Sequence, residues 1–269
     1  MSYRISRRTF LAGSALAMSA ATLPGYAAPI TSCATPRPLG ATGLRCSVVG
    51  MGTGVTSWNG ESALTRKGRD VFMNVLRHAY DKGITYFDLA DMYGSHDYVR
   101  EALHTFMDRD KVMISTKTVS RDPESLRTDI ERFRKEIDTD VLDVVLFHCL
   151  TEQDGPDWRE KLAGCMDVLT EAKANGVIRS HGVSCHHFEA MQQAAESDWV
   201  DVILARINPF GVKMDGPVPD IVALLEECHA KGKGVLGMKI IGEGELHDRV
   251  SESLRFAMGL GCVDAMTIG

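Results

Sequence analysis

No Cys-x-x-Cys pair occurs in these 269 residues, although there are seven cysteines: Cys33, Cys46, Cys149, Cys165, Cys185, Cys228 and Cys262. The number is odd and the spacing irregular, which argues against a zinc ribbon and a disulfide framework. Several sit in apolar runs and read as small buried hydrophobes. A basic stripe is also missing. The formal net charge is −6, and Arg4, Arg7 and Arg8 belong to an N-terminal stretch without a single acid, so the remainder is more acidic still. That balance argues against nucleic acid as a partner. No Gly-x-Gly-x-x-Gly opens a helix. Gly50-Met51-Gly52-Thr53-Gly54 is rich in glycine, but no helical pattern begins directly behind it, so the doubly wound dinucleotide fold loses its fingerprint. The early His-x-His of a barrel metal hydrolase is absent. The apolar run from Phe10 to Leu23 is short for a membrane span, so no stable insertion is expected.

That run fits a different role. Ser6-Arg7-Arg8-Thr9-Phe10-Leu11 introduces it, and Pro24-Gly25-Tyr26-Ala27-Ala28 follows as a small-residue processing region. Residues 1–28 read as a twin-arginine signal peptide, 29–36 as a linker and 37–269 as the folded domain. Export by the twin-arginine (Tat) machinery to the periplasm, after folding and after loading any cofactor, suits a chain with an odd set of free thiols. Ile30-Thr31-Ser32-Cys33 offers a lipoprotein cleavage box with Cys33 as anchor. It lies beyond Pro29 and far from the apolar run, so this is the weaker reading.

The composition, 44% hydrophobic and 25% charged, suits one α/β domain with a large core. After residue 38 short β-branched runs recur at 47–50, 85–89, 112–115, 141–147, 178–183, 200–204, 235–238 and 263–268. Amphipathic segments separate them: Val71, Phe72, Val75, Leu76 and Ala79 on one face, then about 97–106, 123–138, 158–174, 187–197, 217–231 and 248–260. Asp122-Pro123 opens one helix, and Lys82-Gly83, Asn175-Gly176 and Lys233-Gly234 follow others. Strict alternation of eight strands with helices predicts a (β/α)₈ TIM barrel. No eighth helical pattern precedes Gly269. The expectation is a bare outer face on the last strand, near Val263 and Ala265, left exposed or covered by self-association.

In a barrel all strand C-terminal ends face one mouth. Four polar residues stand at such ends or just beyond: Asp88, Tyr93, Lys117 and His148. They supply a phenol as proton donor, an ammonium tuned by a carboxylate, and an imidazole able to orient a carbonyl. This set can deliver a proton to oxygen while a hydride reaches carbon.

These residues resemble the aldo-keto reductase family. Phe87-Asp88-x-Ala90-x-x-Tyr93-Gly94, Thr116-Lys117 and Phe147-His148 match its catalytic motifs in order. Arg37-Pro38-Leu39-Gly40 with Thr42-Gly43-Leu44 resembles the hairpin that plugs the barrel bottom. The resemblance covers residues 37–269 and implies NADPH-dependent reduction of a small-molecule carbonyl, an aldehyde or ketone, to the alcohol, with NADH possible. It implies catalytic roles for Asp88, Tyr93, Lys117 and His148. It places Gly52 and Thr53 on the first strand, Ser184 and Cys185 at the nicotinamide amide, Met238 against the nicotinamide, and Lys239, Gly242 and Gly244 in the pyrophosphate loop. The sequence departs from the pattern at Cys185, where asparagine is usual, at Leu204, where glutamine is usual, and at Ile240, where proline is usual. The family's loop and helix for the 2′-phosphate would follow Gly269. Lys117, held by Asp88, is expected to lower the pKa of Tyr93. Loops 56–66, 151–157 and 210–219 would set specificity, with Trp58 and Trp158 as candidate pocket walls. Two other readings stand beside this one: a non-catalytic nucleotide-binding sensor or scaffold on the same barrel, and a metal-dependent hydrolase using His148-Cys149 and Cys185-His186-His187.

Overall fold

The computed structural model describes residues 30–269. An antiparallel hairpin, β1 (Pro36–Pro38) and β2 (Arg45–Ser47), precedes the barrel. The barrel strands are β3 (Val49–Gly52), β4 (Tyr86–Asp88), β5 (Met113–Thr118), β6 (Leu142–Leu150), β7 (Ile178–Cys185), β8 (Val202–Arg206), β9 (Gly234–Met238) and β10 (Ala265–Ile268). They pair in parallel in chain order, and β10 closes on β3. The helices between them are α1 (Arg69–Asp81), α2 (His96–Thr105), α3 (Pro123–Ile137), α4 (Trp158–Lys161), α5 (Ala163–Ala174), α6 (Phe188–Glu196), α7 (Val218–Ala230) and α8 (Val250–Gly259). The expected (β/α)₈ barrel is thus observed. The span 158–174 splits into two helices, and the first barrel strand begins two residues later than its β-branched run suggested. None of the described helices is long and apolar enough to cross a membrane.

Alternation along each strand divides the core in two. One face packs outward on the helices through Phe87, Ile114, Val145, Phe147, Val183, Cys185 and Ile203. The other fills the barrel through Tyr86, Met113, Val144, Leu146, Val202, Leu204, Leu236 and Ala265. Leu39, Leu44 and Cys46 of the hairpin complete that inner cluster from below. The hairpin is fixed by Gly40 N–H donating to Asp264 Oδ2 at 3.0 Å and by Ala41 N–H donating to Gly232 O at 2.7 Å. Residues 31–35 lie against the barrel, with Val49 N–H donating to Cys33 O at 3.1 Å. Residues 1–28, the expected signal peptide, fall outside the described residues.

Helix α3 shows the local logic. Asp122 caps it, accepting from Ser125 N–H at 2.8 Å, and Pro123 starts it where no N–H is needed. The bare face expected on the last strand is not found. Val263 and Met266 are buried in the outer, helix-packed core, and Ala265 faces into the barrel. Trp158, a candidate pocket wall, lies in the outer core and donates Nε1–H to Ala190 O at 3.2 Å. Trp58 is 76% exposed.

Candidate active site

Asp88, Lys117 and His148 stand on inward faces at the upper ends of β4, β5 and β6. Tyr93 ends a 3₁₀ turn, Asp91–Tyr93, directly above β4. Gly94 follows in a left-handed conformation, φ 63°, and any side chain there would collide with Gly60 O. Gly54 leaves the room in which the Tyr93 ring lies. Two glycines therefore place the phenol.

The four side chains converge. Lys117 Nζ lies 2.7 Å from Asp88 Oδ1 and donates to Leu89 O at 2.7 Å. It also donates to the Tyr93 hydroxyl at 3.4 Å. The same hydroxyl is 3.4 Å from His148 Nε2, with the two rings edge to face. Tyr86 donates its hydroxyl to Asp88 Oδ1 at 3.3 Å. Asp88, Lys117 and His148 are all buried.

Burial sets the protonation states. It pushes the Tyr93 phenol well above its usual range, and the Asp88 carboxylate and Cys149 add to this. The net shift runs opposite to the lowering expected from Lys117, because burial and the Asp88 carboxylate outweigh an ammonium that is paired with Asp88 at closer range. Desolvation, with Lys117 and other cations nearby, holds His148 well below the usual imidazole value. The site thus presents a protonated phenol and a neutral imidazole.

A cavity of about 190 Å³ opens beside Tyr93 and Asp88, lined on its other sides by Gly52, Met238, Lys239, Gly244 and Thr267 among others. Of the residues expected at a cofactor, Gly52, Met238, Lys239 and Gly244 border it. Ser184 sits at the inward end of β7 with Oγ buried and unpartnered. The other three expected residues do not border the cavity. Cys185 points outward into the helix-packing core, since its neighbour Ser184 takes the inward face. Thr53 is buried and spends its hydroxyl on Asp88 O and Ser95 Oγ, each at 2.9 Å. Gly242 is a turn residue, φ 55°, where a side chain would strike Val212.

The loop from Met238 to Leu246 curls tightly, with left-handed Lys239, Gly242, Glu243 and Gly244. Lys239 pairs with Glu243. A wall of glycines, a curled loop with a lysine, and the orphaned Ser184 and Thr267 hydroxyls fit a nicotinamide dinucleotide.

Sequence reasoning gave Arg206 and His186 no joint role. Arg206 Nη2 is 2.6 Å from His186 Nδ1 and Nη1 is 3.1 Å from Asp215 Oδ1. His186 Nε2 is 3.6 Å from Cys149 Sγ. Parity along β7 and β8 was the available signal: Ser184 and His186 share the inward face, as do Leu204 and Arg206. Among the described residues, no three His, Cys, Asp or Glu side chains are placed to hold a metal ion.

A parallel eight-stranded barrel with an acid, a tyrosine, a lysine and a histidine at one mouth defines an α/β-barrel protein equipped for carbonyl chemistry. The sequence model described as the aldo/keto reductase family matches residues 49–258, and the chain belongs to that family. The aldo-keto reductase YhdN of Bacillus subtilis is 30% identical over 166 residues, 56% of this chain and 46% of that protein. An NADH-specific methylglyoxal reductase of Escherichia coli is 24% identical, over 64% of this chain and 58% of its own length. The chain thus spans about half the length of these curated relatives. Among solved structures, a putative aldo-keto reductase from Pseudomonas aeruginosa superposes with a TM-score of 0.71 at 24% identity, covering 87% of this chain and 88% of its own. An aldo-keto reductase from Bacillus halodurans gives 0.68 at 16% identity, covering 87% and 86%. These likenesses bear on the fold.

Proposed function

We propose that this barrel reduces an aldehyde or ketone to the alcohol with NADPH, or with NADH in its place. The observation that carries this is the Tyr93 hydroxyl, 3.4 Å from both Lys117 Nζ and His148 Nε2. A reduced nicotinamide, when bound, supplies the hydride. Gly52, Ser184, Met238, Lys239, Gly244 and Thr267 would hold it. The rest is the work of this chain's side chains. Neutral His148 donates a hydrogen bond to the carbonyl oxygen and fixes its direction. Tyr93 gives its proton to the same oxygen as negative charge develops there. The phenol thereby neutralises the oxygen as the alcohol forms. Lys117 then faces the phenolate and stabilises it electrostatically. The test is fluorescence quenching on titration with NADPH and with NADH, followed by loss of cofactor absorbance on adding an aldehyde. Binding without turnover would favour the sensor reading; neither would overturn both.

The pH profile gives a further check. His148 is held far below the ordinary imidazole range, so it stays neutral between about pH 5 and 8. Tyr93 is held above the ordinary phenol value of about 10, so it keeps its proton across the same range. Turnover is therefore expected to be flat through it. An inflection near pH 6.5 that disappears in His148→Gln would contradict these protonation states.

Export through the twin-arginine route to the periplasm belongs to the same proposal. Its support is Ser6–Leu11 and the run after it, together with thiols that form no disulfide among the described residues.

A further inference from the structure

We propose that the β6–β8 side of the mouth is a subsite for a neutral, hydroxyl-bearing carbonyl substrate, with His186 as the donor that reads a hydroxyl. This rests on the reductase reading above and adds the substrate class.

Strand β6 is irregular where it reaches the mouth. Its pairing with β7 shifts register between Phe147 and Leu150, and Cys149 adopts φ 55°. A non-glycine residue in that region persists only where its surroundings hold it, and such residues cluster at functional sites. Here the twist carries Cys149 out of strand parity and sets its Sγ 3.6 Å from His186 Nε2.

Arg206 decides what His186 can do. A guanidinium only donates, so His186 Nδ1, 2.6 Å away, must accept and the ring proton sits on Nε2. Arg206 is itself anchored on buried Asp215. The arrangement is the reverse of a nucleophilic Cys–His pair, in which Nε2 must be free to take the thiol proton. Burial and Arg206 hold His186 down to about 3, and burial raises the Cys149 thiol. His186 is thus a neutral, fixed N–H donor. Its present acceptor is a sulfur at long range, which a hydroxyl oxygen outcompetes.

The pair stands at the rim of the site. Ser184 pairs with Leu204, and Arg206 pairs with Met238, which borders the cavity. His186 and Arg206 therefore form the layer above Ser184. Polar atoms at this end of the barrel lack protein partners. Ser184 Oγ and His148 Nδ1 are orphaned on side chains more than nine-tenths buried, and Arg206 Nε is orphaned as well. An apolar substrate would leave the His186 Nε2–H with the sulfur alone, whereas a substrate hydroxyl would accept from it. Charge selects between oxygen-rich ligands. Lys117, Arg121, Arg206 and Lys239 are each paired with a carboxylate: Asp88, Asp154, Asp215 and Glu243. No cation of this set is free for an acid substrate, so a hydroxyaldehyde is favoured over an oxoacid.

The test compares three small aldehydes, glyceraldehyde, propanal and glyoxylate, on the full chain and on His186→Phe and His186→Gln. Comparing ratios between proteins cancels the aldehydes' intrinsic reactivity. The kcat/KM ratio of glyceraldehyde to propanal is expected to fall about 10-fold or more in His186→Phe and to recover in His186→Gln, which restores an N–H. A ratio unchanged in His186→Phe, or a preference for glyoxylate, overturns the subsite. If His186→Phe does not fold, His186→Asn, whose N–H is withdrawn, takes its place. If no aldehyde is reduced, ligand-observed NMR of glycerol against 1-propanol decides. Glycerol-selective binding that the variant loses keeps the subsite and overturns the reductase reading. Equal binding of the two overturns the subsite.

Discussion

Replacing Tyr93 with phenylalanine is expected to cut aldehyde turnover by about 10²–10⁴-fold while cofactor affinity stays within about twofold. The ring has its own supports. It lies edge to face on His148, in the space that Gly54 leaves open, and phenylalanine keeps both contacts. The hydroxyl is bound only loosely, at 3.4 Å to Lys117 and 3.4 Å to His148. Lys117 keeps Asp88 Oδ1 and Leu89 O, each at 2.7 Å, when the hydroxyl leaves. No buried charge is orphaned, so stability should change by less than about 1 kcal/mol. The variant thus separates chemistry from folding. Single-turnover reduction at saturating cofactor is the measurement. A rate near that of the unmodified chain would remove Tyr93 as the acid and with it the assigned mechanism.

The fold and the four polar residues at the mouth could be read from the sequence because each rests on a local pattern. A short apolar run ending on a polar residue is legible within six or seven residues, and barrel topology then brings such ends together without further information. Cys185 shows the limit of that logic. A run of Ser, Cys and His at a strand end does not say which residue faces inward, and Ser184 takes that place. The link between Arg206 and His186 was hidden for a different reason: it joins neighbouring strands across a layer that only the register defines. The bulge at Cys149 was hidden as well, since a cysteine at positive φ carries no sequence signal. The protonation of Tyr93 ran against expectation because the cost of burying a phenolate, with the Asp88 carboxylate beside it, outweighs a nearby ammonium.

Lys117→Met is expected to be the most damaging single change, destabilising the barrel by about 3–5 kcal/mol. Lys117 is among the largest fully buried side chains, and its ammonium meets Asp88 inside the barrel. Removing the cation leaves a buried carboxylate with, among the described residues, only the Tyr86 hydroxyl, at 3.3 Å, as a side-chain partner. The loss is a large share of a typical domain stability of about 5–15 kcal/mol. Replacing both partners, Asp88→Leu with Lys117→Met, removes the charge as well as its counterion, so most of the stability should return. Activity should not return, because nothing then stabilises the Tyr93 phenolate. Urea unfolding of the two variants, read with aldehyde turnover, separates the two roles of the lysine. If Lys117→Met alone unfolds at the same urea concentration as the parent, the pair is not what holds this end of the barrel. If the double variant regains turnover, the ammonium has no part in the proton transfer.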